Sequence, residues 1–351
     1  MRIAIATVRV PFEYGGAEFL AENLKNQLIE RGHEPDIVTI PFKWNTAESL
    51  TNSIRMAKMV ELSESKGKRI ELVIALKFPM YYANHENKVL WLLHQHREAY
   101  ELWGTGFHGM DTLKNGGRLR KLIMNDDSKY IPECRKVYTI SKTVSGRLKK
   151  YNGIDSTPLY HPPFGKERFH HAETGDYIFC PSRLEQLKRQ QILIESLRYT
   201  KTPVKVLLAG TGKKEYIEQI AILVETHGLS DRVHLLGWVP ETQKISLYAN
   251  ALAVYYGPFQ EDYGYVTLEA FLAGKPVITL IDSGGPLEFV RDGENGFVLE
   301  SDPQVVAEKL DYLYENKPKA ESMGMNGMSL IKSIDLNWDC VIDRLLGNGR
   351  R

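Results

Sequence analysis

Short apolar runs alternate with amphipathic stretches along the whole chain, which is the pattern of parallel α/β folds. The first run, Arg2–Val8, leads to a turn at Gly15-Gly16 and then to a predicted helix. On that helix Ala17, Leu20, Ala21, Leu24 and Leu28 recur at helical spacing, and Gly32 stands where a helix C-terminus favours glycine. Further strands are predicted at Asp36–Ile40, Glu71–Leu76, Val89–His94 and Lys136–Ile140. A second series is predicted at Tyr177–Cys180, Val204–Ala209, Val233–Leu236, Leu252–Tyr256 and Pro276–Ile281. Between the two lies His161–Thr174, rich in Pro, His and charge and poor in periodicity, which reads as a linker. The expected organisation is a first domain over 1–172 and a second over 173–330, each a doubly wound sheet. Ligands of such sheets sit at the carboxyl ends of the strands, so two facing sheets would place a site in the cleft between them.

Length and composition agree with two soluble domains. The chain has 351 residues, 43% of them hydrophobic and 25% charged, enough apolar material for two cores. Lys+Arg number 45 against 44 Asp+Glu, so no basic surplus points to nucleic acid. No apolar run approaches the ~20 residues that cross a bilayer, and MRIAIATVRV reads as a buried strand rather than a leader. Cys134, Cys180 and Cys340 are widely spaced, which fits a reducing compartment and forms no metal-ligand cluster. A cytoplasmic location is expected. The basic stretches Lys114–Lys121 and Arg147–Lys150 are where the surface would touch anionic lipid, although such runs are more often solvated faces.

Chemistry concentrates at predicted strand ends. Gly15-Gly16-Ala17-Glu18 opens a helix after the first strand, where glycine lets the backbone approach a ligand and free N–H groups meet an anion; a plain turn is the alternative. The dinucleotide pattern G-x-G-x-x-G is missing there. His94 ends VLWLLH and is followed by His96-Arg97; either imidazole can exchange a proton or hydrogen-bond a sugar hydroxyl. Arg183 and Lys188 in PSRLEQLKRQ oppose a helix dipole, which favours an anionic ligand over a merely solvated helix start. Gly210-Thr211-Gly212 and Gly237-Trp238-Val239-Pro240 follow later strands. In EDYGYVTLEAFLAGKPVIT, Glu261 and Glu269 have seven residues between them, around a turn at Gly264, with a helix starting near Tyr265. SGGPLEFVRDGENGFV then reads as a second glycine-rich turn followed by a helix. Asp126-Asp127 is the nearest look-alike of a metal-binding acidic pair, and it reads as solvated surface in a polar stretch, 104–130, that is a long loop or a helix-bearing insertion.

In this order, GGAE, RLEQLK, E-x7-E and SGGPLEFVRDGENGFV resemble the retaining GT-B glycosyltransferases of family 4, closely from about Tyr177 to Leu299 and more loosely in the first domain. The resemblance implies a GT-B fold of two Rossmann-like domains and a nucleotide-sugar donor, UDP- or GDP-linked, with no other cofactor. It implies that Arg183 and Lys188 bind the donor diphosphate, that Glu269 holds the ribose, and that Glu261, helped by Tyr263, Gly264, Tyr265 and Val266, contacts the transferred sugar. Gly15 and Gly16 would approach from the first domain, Gly210, Thr211 and Gly212 would line the donor site, and Val239 would lie near the base. His94 matches the first-domain histidine beside the sugar, with His96 the alternative. The family's E-x-x-K-G reads Glu185, Lys188 and then Arg189 in place of glycine. The implied reaction is front-face transfer with retained configuration to a glycan, lipid-linked or small-molecule acceptor, without a metal ion. The family also returns its C-terminal chain to the first domain, here expected from about Ile331. A sugar-nucleotide epimerase or phosphorylase, a non-catalytic binding module and a nicotinamide oxidoreductase are the rival readings.

Overall fold

The computed structural model describes residues 1–107, 109–334 and 336–347. The chain divides into two compact units, one built from Met1–Phe164 with the chain from Asn337 onward, the other from Gly165–Leu336. The division at Phe164–Gly165 falls inside the expected linker. Ile331 lies in a helix of the second unit, so the return to the first begins later than expected, at Asn337.

The first unit holds a six-stranded parallel sheet made of β1 (Arg2–Arg9), β2 (Glu34–Pro41), β3 (Leu72–Ala75), β4 (Lys88–Leu92), β5 (Lys136–Thr139) and β6 (Thr157–Pro158), in the order β2-β1-β3-β4-β5-β6. Every residue of β3 and β4 is buried, as expected of central strands covered on both faces. Helices α1 (Gly16–Glu30), α2 (Ala47–Met59), α3 (Gly116–Tyr130), α4 (Lys142–Asn152) and α11 (Trp338–Leu346) belong to this unit. On α1 the buried Leu20, Ala21, Leu24 and Leu28 form the predicted apolar stripe. On α4 the Ser141 hydroxyl accepts from the Val144 N–H at 3.1 Å, and Gly153 ends the helix in the left-handed region. Buried Trp91 of β4 stands edge-on to Trp338 of α11 at 6.2 Å and donates its indole N–H to the Leu159 carbonyl, which anchors the returning helix.

The second unit holds β7 (Tyr177–Pro181), β8 (Lys205–Ala209), β9 (Val233–Gly237), β10 (Ala253–Tyr255), β11 (Val277–Leu280) and β12 (Gly296–Leu299), all parallel, in the order β9-β8-β7-β10-β11-β12. Helices α5 (Gln190–Ser196), α6 (Lys214–Thr226), α7 (Glu241–Ala249), α8 (Tyr265–Leu272), α9 (Pro303–Glu315) and α10 (Lys317–Ser333) accompany it. Its core joins Ile178, Leu193, Val206, Leu208, Ile278 and Leu310. The stretch expected to form a helix after Gly284-Gly285 instead makes a short 3-10 turn, Gly285–Glu288, and then strand β12. Val298, half-exposed on that strand, and its buried neighbours read as either element when taken alone.

Two polar expectations are corrected in the first unit. Asp126 and Asp127 are not a solvated loop; both lie in α3, where Asp127 is fully buried. Asp127 Oδ1 accepts from Tyr81 and Tyr82 at 2.8 and 2.5 Å, and Oδ2 accepts from Tyr100 and Gln95, both at 2.6 Å. Asp126 pairs with Lys58 at 2.7 Å. The basic stretches are also less solvated than expected. Arg120 donates to the Ala99 carbonyl and stacks on Trp103, and Arg147 turns inward to Glu101 at 3.1 Å. Among the described residues no helix is long and apolar enough to cross a membrane.

Burial pushes the Asp127 carboxyl up to about 6, although its four hydrogen bonds favour the charged form. Between about pH 4 and 6 the folded chain therefore holds a proton that the unfolded chain has released. This contribution to stability is present in full below about pH 4 and is lost as pH rises through 6. The stability advantage of wild type over Asp127→Asn should fall by on the order of 2–3 kcal/mol across that window. Urea unfolding at a series of pH values tests this, and a difference between the two proteins that does not vary with pH would overturn it.

Candidate functional site

In the second sheet β7 is flanked by β8 on one side and β10 on the other, so the chain leaves this pair of strands in opposite directions. Their carboxyl ends open a crevice of the kind that receives ligands in doubly wound sheets. Into it run the segments that follow β7 (Ser182–Arg189), β8 (Gly210–Gly212), β10 (Tyr256–Gly264) and β11 (Ile281–Gly285).

Backbone contact sets these segments. Leu184 N donates to the Thr211 carbonyl at 2.8 Å and Ser182 N to the Ala209 carbonyl at 3.0 Å. A Cβ on Gly210 would lie 2.0 Å from the Ser182 carbonyl oxygen, and one on Gly212 2.1 Å from that of Leu184. The two glycines are thus required by packing, and they hold Arg183 between them and β7. On the other side Glu261 N donates to Ser283 and Gly285 N donates to Glu261. Gly264, in the left-handed region at φ 91°, then turns the chain into α8.

Among the expected site residues, Lys188 and Glu261 are brought into direct contact as a part-buried ion pair. The Lys188 ammonium also lies 3.4 Å from the Tyr256 hydroxyl and over that ring. Burial raises the Tyr256 hydroxyl well above the usual tyrosine range, the Glu261 charge adds to this, and the Arg183 charge opposes it. Arg183 itself is 68% exposed and reaches Glu185 only at 3.6 Å, so its guanidinium stands ready for an outside anion.

Glu269 is engaged elsewhere. Its Oε2 accepts from the buried Tyr248 hydroxyl at 2.7 Å and its Oε1 from Lys244 at 3.2 Å. Burial works against the Lys244 charge, but Glu269 and Glu241 outweigh it and hold the ammonium above the usual lysine range. Tyr263 is buried edge-on to Tyr265 and Phe289; Tyr265 and Val266 form the first turn of α8. Val239 is half-buried just after the exposed Trp238. Sequence reasoning missed Tyr256, Lys244 and Tyr248, because nothing in their own segments marks them as partners of acids far along the chain.

In the first unit Gly15 caps α1 and donates its N–H to Glu18 at 2.9 Å. Its backbone is extended, and a Cβ there would meet nothing closer than 3.7 Å, so the fold itself does not demand glycine. Gly16 is the first residue of the helix. Strand β4 ends at Leu92, two residues before the expected end. His94 follows half-buried, its Nδ1 2.6 Å from the Gln95 carbonyl, and lines a cavity of about 10 Å³ with Gln95, Glu101, Val144 and Arg147. His96 is buried against Phe42 and Phe78 with ring centroids 6.3 and 5.2 Å away, a core position. Among the described residues no group of three or more His, Cys, Asp or Glu is placed to hold a metal ion.

The Tyr248–Glu269 bond links α7 to α8 in a part-buried setting. Tyr248→Phe leaves a part-buried carboxylate oxygen without its donor and should cost about 1–3 kcal/mol in urea unfolding; an unchanged midpoint and slope would show that the bond contributes nothing.

Residues 164–329 match the family model described as glycosyl transferases group 1. An α-1,3/1,6-mannosyltransferase ALG2 from Dictyostelium discoideum is 34% identical over 133 residues, 36% of this chain and 31% of that protein. The chain spans 31% to 49% of the length of such curated relatives. Among solved structures, sucrose-phosphate synthase from Thermosynechococcus elongatus superimposes with TM-score 0.79 at 16% identity, covering 99% of this chain and 97% of that one. HepE of Anabaena, in complex with UDP and glucose, does so with TM-score 0.69 at 17% identity, covering 99% and 98%. Residues 164–329 thus carry the match to the glycosyl transferases group 1 family, and the chain as a whole has the GT-B fold.

Proposed function

We propose that this protein transfers a sugar from a nucleoside-diphosphate donor, UDP- or GDP-linked, to a glycan, lipid-linked or small-molecule acceptor, with retained anomeric configuration and without a metal ion. The observation that carries the reading is the Lys188–Glu261 pair beside Tyr256, set at the diverging strand ends of the unit that matches the family. The departing diphosphate gains charge as the glycosidic bond breaks. Lys188, the exposed Arg183 and the positive end of α8 supply fixed positive potential there. The Asp127 oxygens, whose bonds run to three tyrosines and a glutamine, and Asp126, paired with Lys58, are committed inside the first unit and leave this charge to the cations. Glu261 is the carboxylate assigned to hydroxyls of the transferred sugar, and Glu269, oriented by Lys244 and Tyr248, accepts from the ribose hydroxyls. Tyr263, Gly264, Tyr265 and Val266 frame the sugar and phosphate through their backbone; Gly210, Thr211 and Gly212 frame the phosphate, and Val239 borders the base. HepE binds UDP and glucose on the same fold, which favours a nucleotide-sugar donor here.

His94 and the Gly15–Gly16 turn are assigned to the transferred sugar from the first unit. Gly15 supports this, because its lack of a side chain answers no internal need and leaves the backbone open to a ligand.

Calorimetry with UDP, GDP and their sugar conjugates should detect binding that Arg183→Ala and Lys188→Ala each weaken; no binding by the wild type would overturn the reading. Transfer should persist in excess chelator. Loss that magnesium or manganese restores would show that a metal handles the charge. His94→Ala should lower kcat more than it changes donor affinity, by about 10²–10⁴-fold if the imidazole exchanges a proton. An unchanged kcat would remove His94 from the chemistry.

A further inference from the structure

Arg189 follows Lys188 directly, yet its side chain faces away from any outside anion. Its backbone is in the left-handed region, φ 52° and ψ 40°, which a Cβ disfavours. Its side chain is only 7% exposed. The guanidinium donates from Nε to the Gly257 carbonyl at 2.8 Å and from one terminal nitrogen to the Pro258 carbonyl at 2.8 Å. It also forks onto Asp282, at 2.9 Å to Oδ2 and 2.5 Å to Oδ1. These bonds use four of the five N–H groups a guanidinium carries, and the Phe259 ring lies 5.7 Å from the guanidinium carbon. With its donors spent on the protein, Arg189 is not a third cation for a diphosphate.

Three segments meet at this side chain. The first is Leu187–Arg189 itself. The second is Gly257–Glu261, whose Phe259 N–H donates to the Leu187 carbonyl at 2.7 Å. The third is Asp282–Gly285, whose Asp282 carbonyl accepts from Gln260 N at 2.9 Å and whose Ser283 carbonyl accepts from Glu261 N at 2.8 Å. Lys188 and Glu261 close the same junction. A buried charge is costly unless it is paired and fully hydrogen-bonded, and here the pairing partners are the two segments that carry and support Glu261.

We propose that Arg189 is a positioning residue: its guanidinium clamps the Gly257–Glu261 and Asp282–Gly285 segments so that Glu261 meets Lys188. Glycine at 189 relieves the backbone and abolishes the clamp; lysine keeps the charge but cannot fork onto Asp282 while reaching both carbonyls. The clamp is independent of what the site binds, whereas its effect on turnover rests on the transferase reading.

The test labels lysines of the intact protein by reductive methylation and follows Lys188 by peptide mass spectrometry. The buried Lys275, whose Nζ donates to the Ala172 carbonyl at 3.0 Å, reports the integrity of the same unit. Arg189→Gly should raise Lys188 labelling by about tenfold, as local opening does, while Lys275 stays protected. Millimolar guanidinium should restore the protection of Lys188. Arg189→Lys and Asp282→Asn should each show a smaller rise. With a turned-over sugar nucleotide, kcat should fall in Arg189→Gly more than KM rises, and guanidinium should recover part of it. Unchanged Lys188 labelling in Arg189→Gly overturns the proposal. So does loss of Lys275 protection in Arg189→Gly and Arg189→Lys alike, since the residue would then merely hold the fold. A wild type that turns over no sugar nucleotide would refute the transferase reading alone, with the labelling still deciding the clamp.

Discussion

Strand β7 is hydrogen-bonded to β8 on one side and β10 on the other, with Ile178 opposite Val206 and Ala253. Because the chain departs from these neighbours in opposite directions, no connection covers their carboxyl ends, and the loops that follow them must pack on one another there. That packing is backbone against backbone. Ser182 and Leu184 lie against Gly210 and Gly212, and Glu261 and Tyr263 against Gly284 and Gly285, at distances a Cβ would not permit. Gly210, Gly212, Gly284 and Gly285 are thus explained first by closure of the loops, and the placement of Arg183, Lys188 and Glu261 is a consequence.

The same crevice concentrates charge, and the protein manages it in pairs. Lys188 meets Glu261, Arg189 meets Asp282, and Lys244 meets Glu269. Each ion loses water, and each recovers through a partner and further hydrogen bonds. Arg183, largely exposed and held by one long contact with Glu185, differs from these three cations. A site with most of its charges preset and one cation still hydrated suits an incoming anion, since little has to reorganise when the anion arrives. The first unit follows the same economy with other groups. Buried Lys88 donates to the Tyr81 and Ala83 carbonyls, and Asp127 collects tyrosine hydroxyls instead of a cation.

Strands and the glycine-rich turns were legible in the sequence because their signals are local. Continuous apolar runs such as LVIA and VLWLL announce buried parallel strands, and the observed ends differ from the predicted ones by a residue or two, as with β4 ending before His94. The segments that carry RLEQLK and Glu261 were readable for the same reason, since each directly follows a strand, whereas Glu269 lies within α8. Asp126-Asp127 was misread because a polar stretch has the same composition whether its charges face water or tyrosines. The helix expected after Gly284-Gly285 failed because short apolar runs fit a strand as well as a helix.

What the amino-acid order determined by itself was the alternation of elements, hence two doubly wound sheets, and the residue types available at each strand end. What only the tertiary structure decided was pairing. Lys188 and Glu261, Glu269 and Tyr248, and Arg189 and Asp282 each join residues from separate loops or helices. His94 and His96 stand two positions apart in one loop, yet His94 lines a small cavity while His96 packs on Phe42 and Phe78. Strand periodicity repeats every two residues and helix periodicity every 3.6, so a sequence announces its elements over a few positions. Whether a charge is solvated, paired or clamped depends on groups far along the chain, which meet only once the sheet has set the loops side by side.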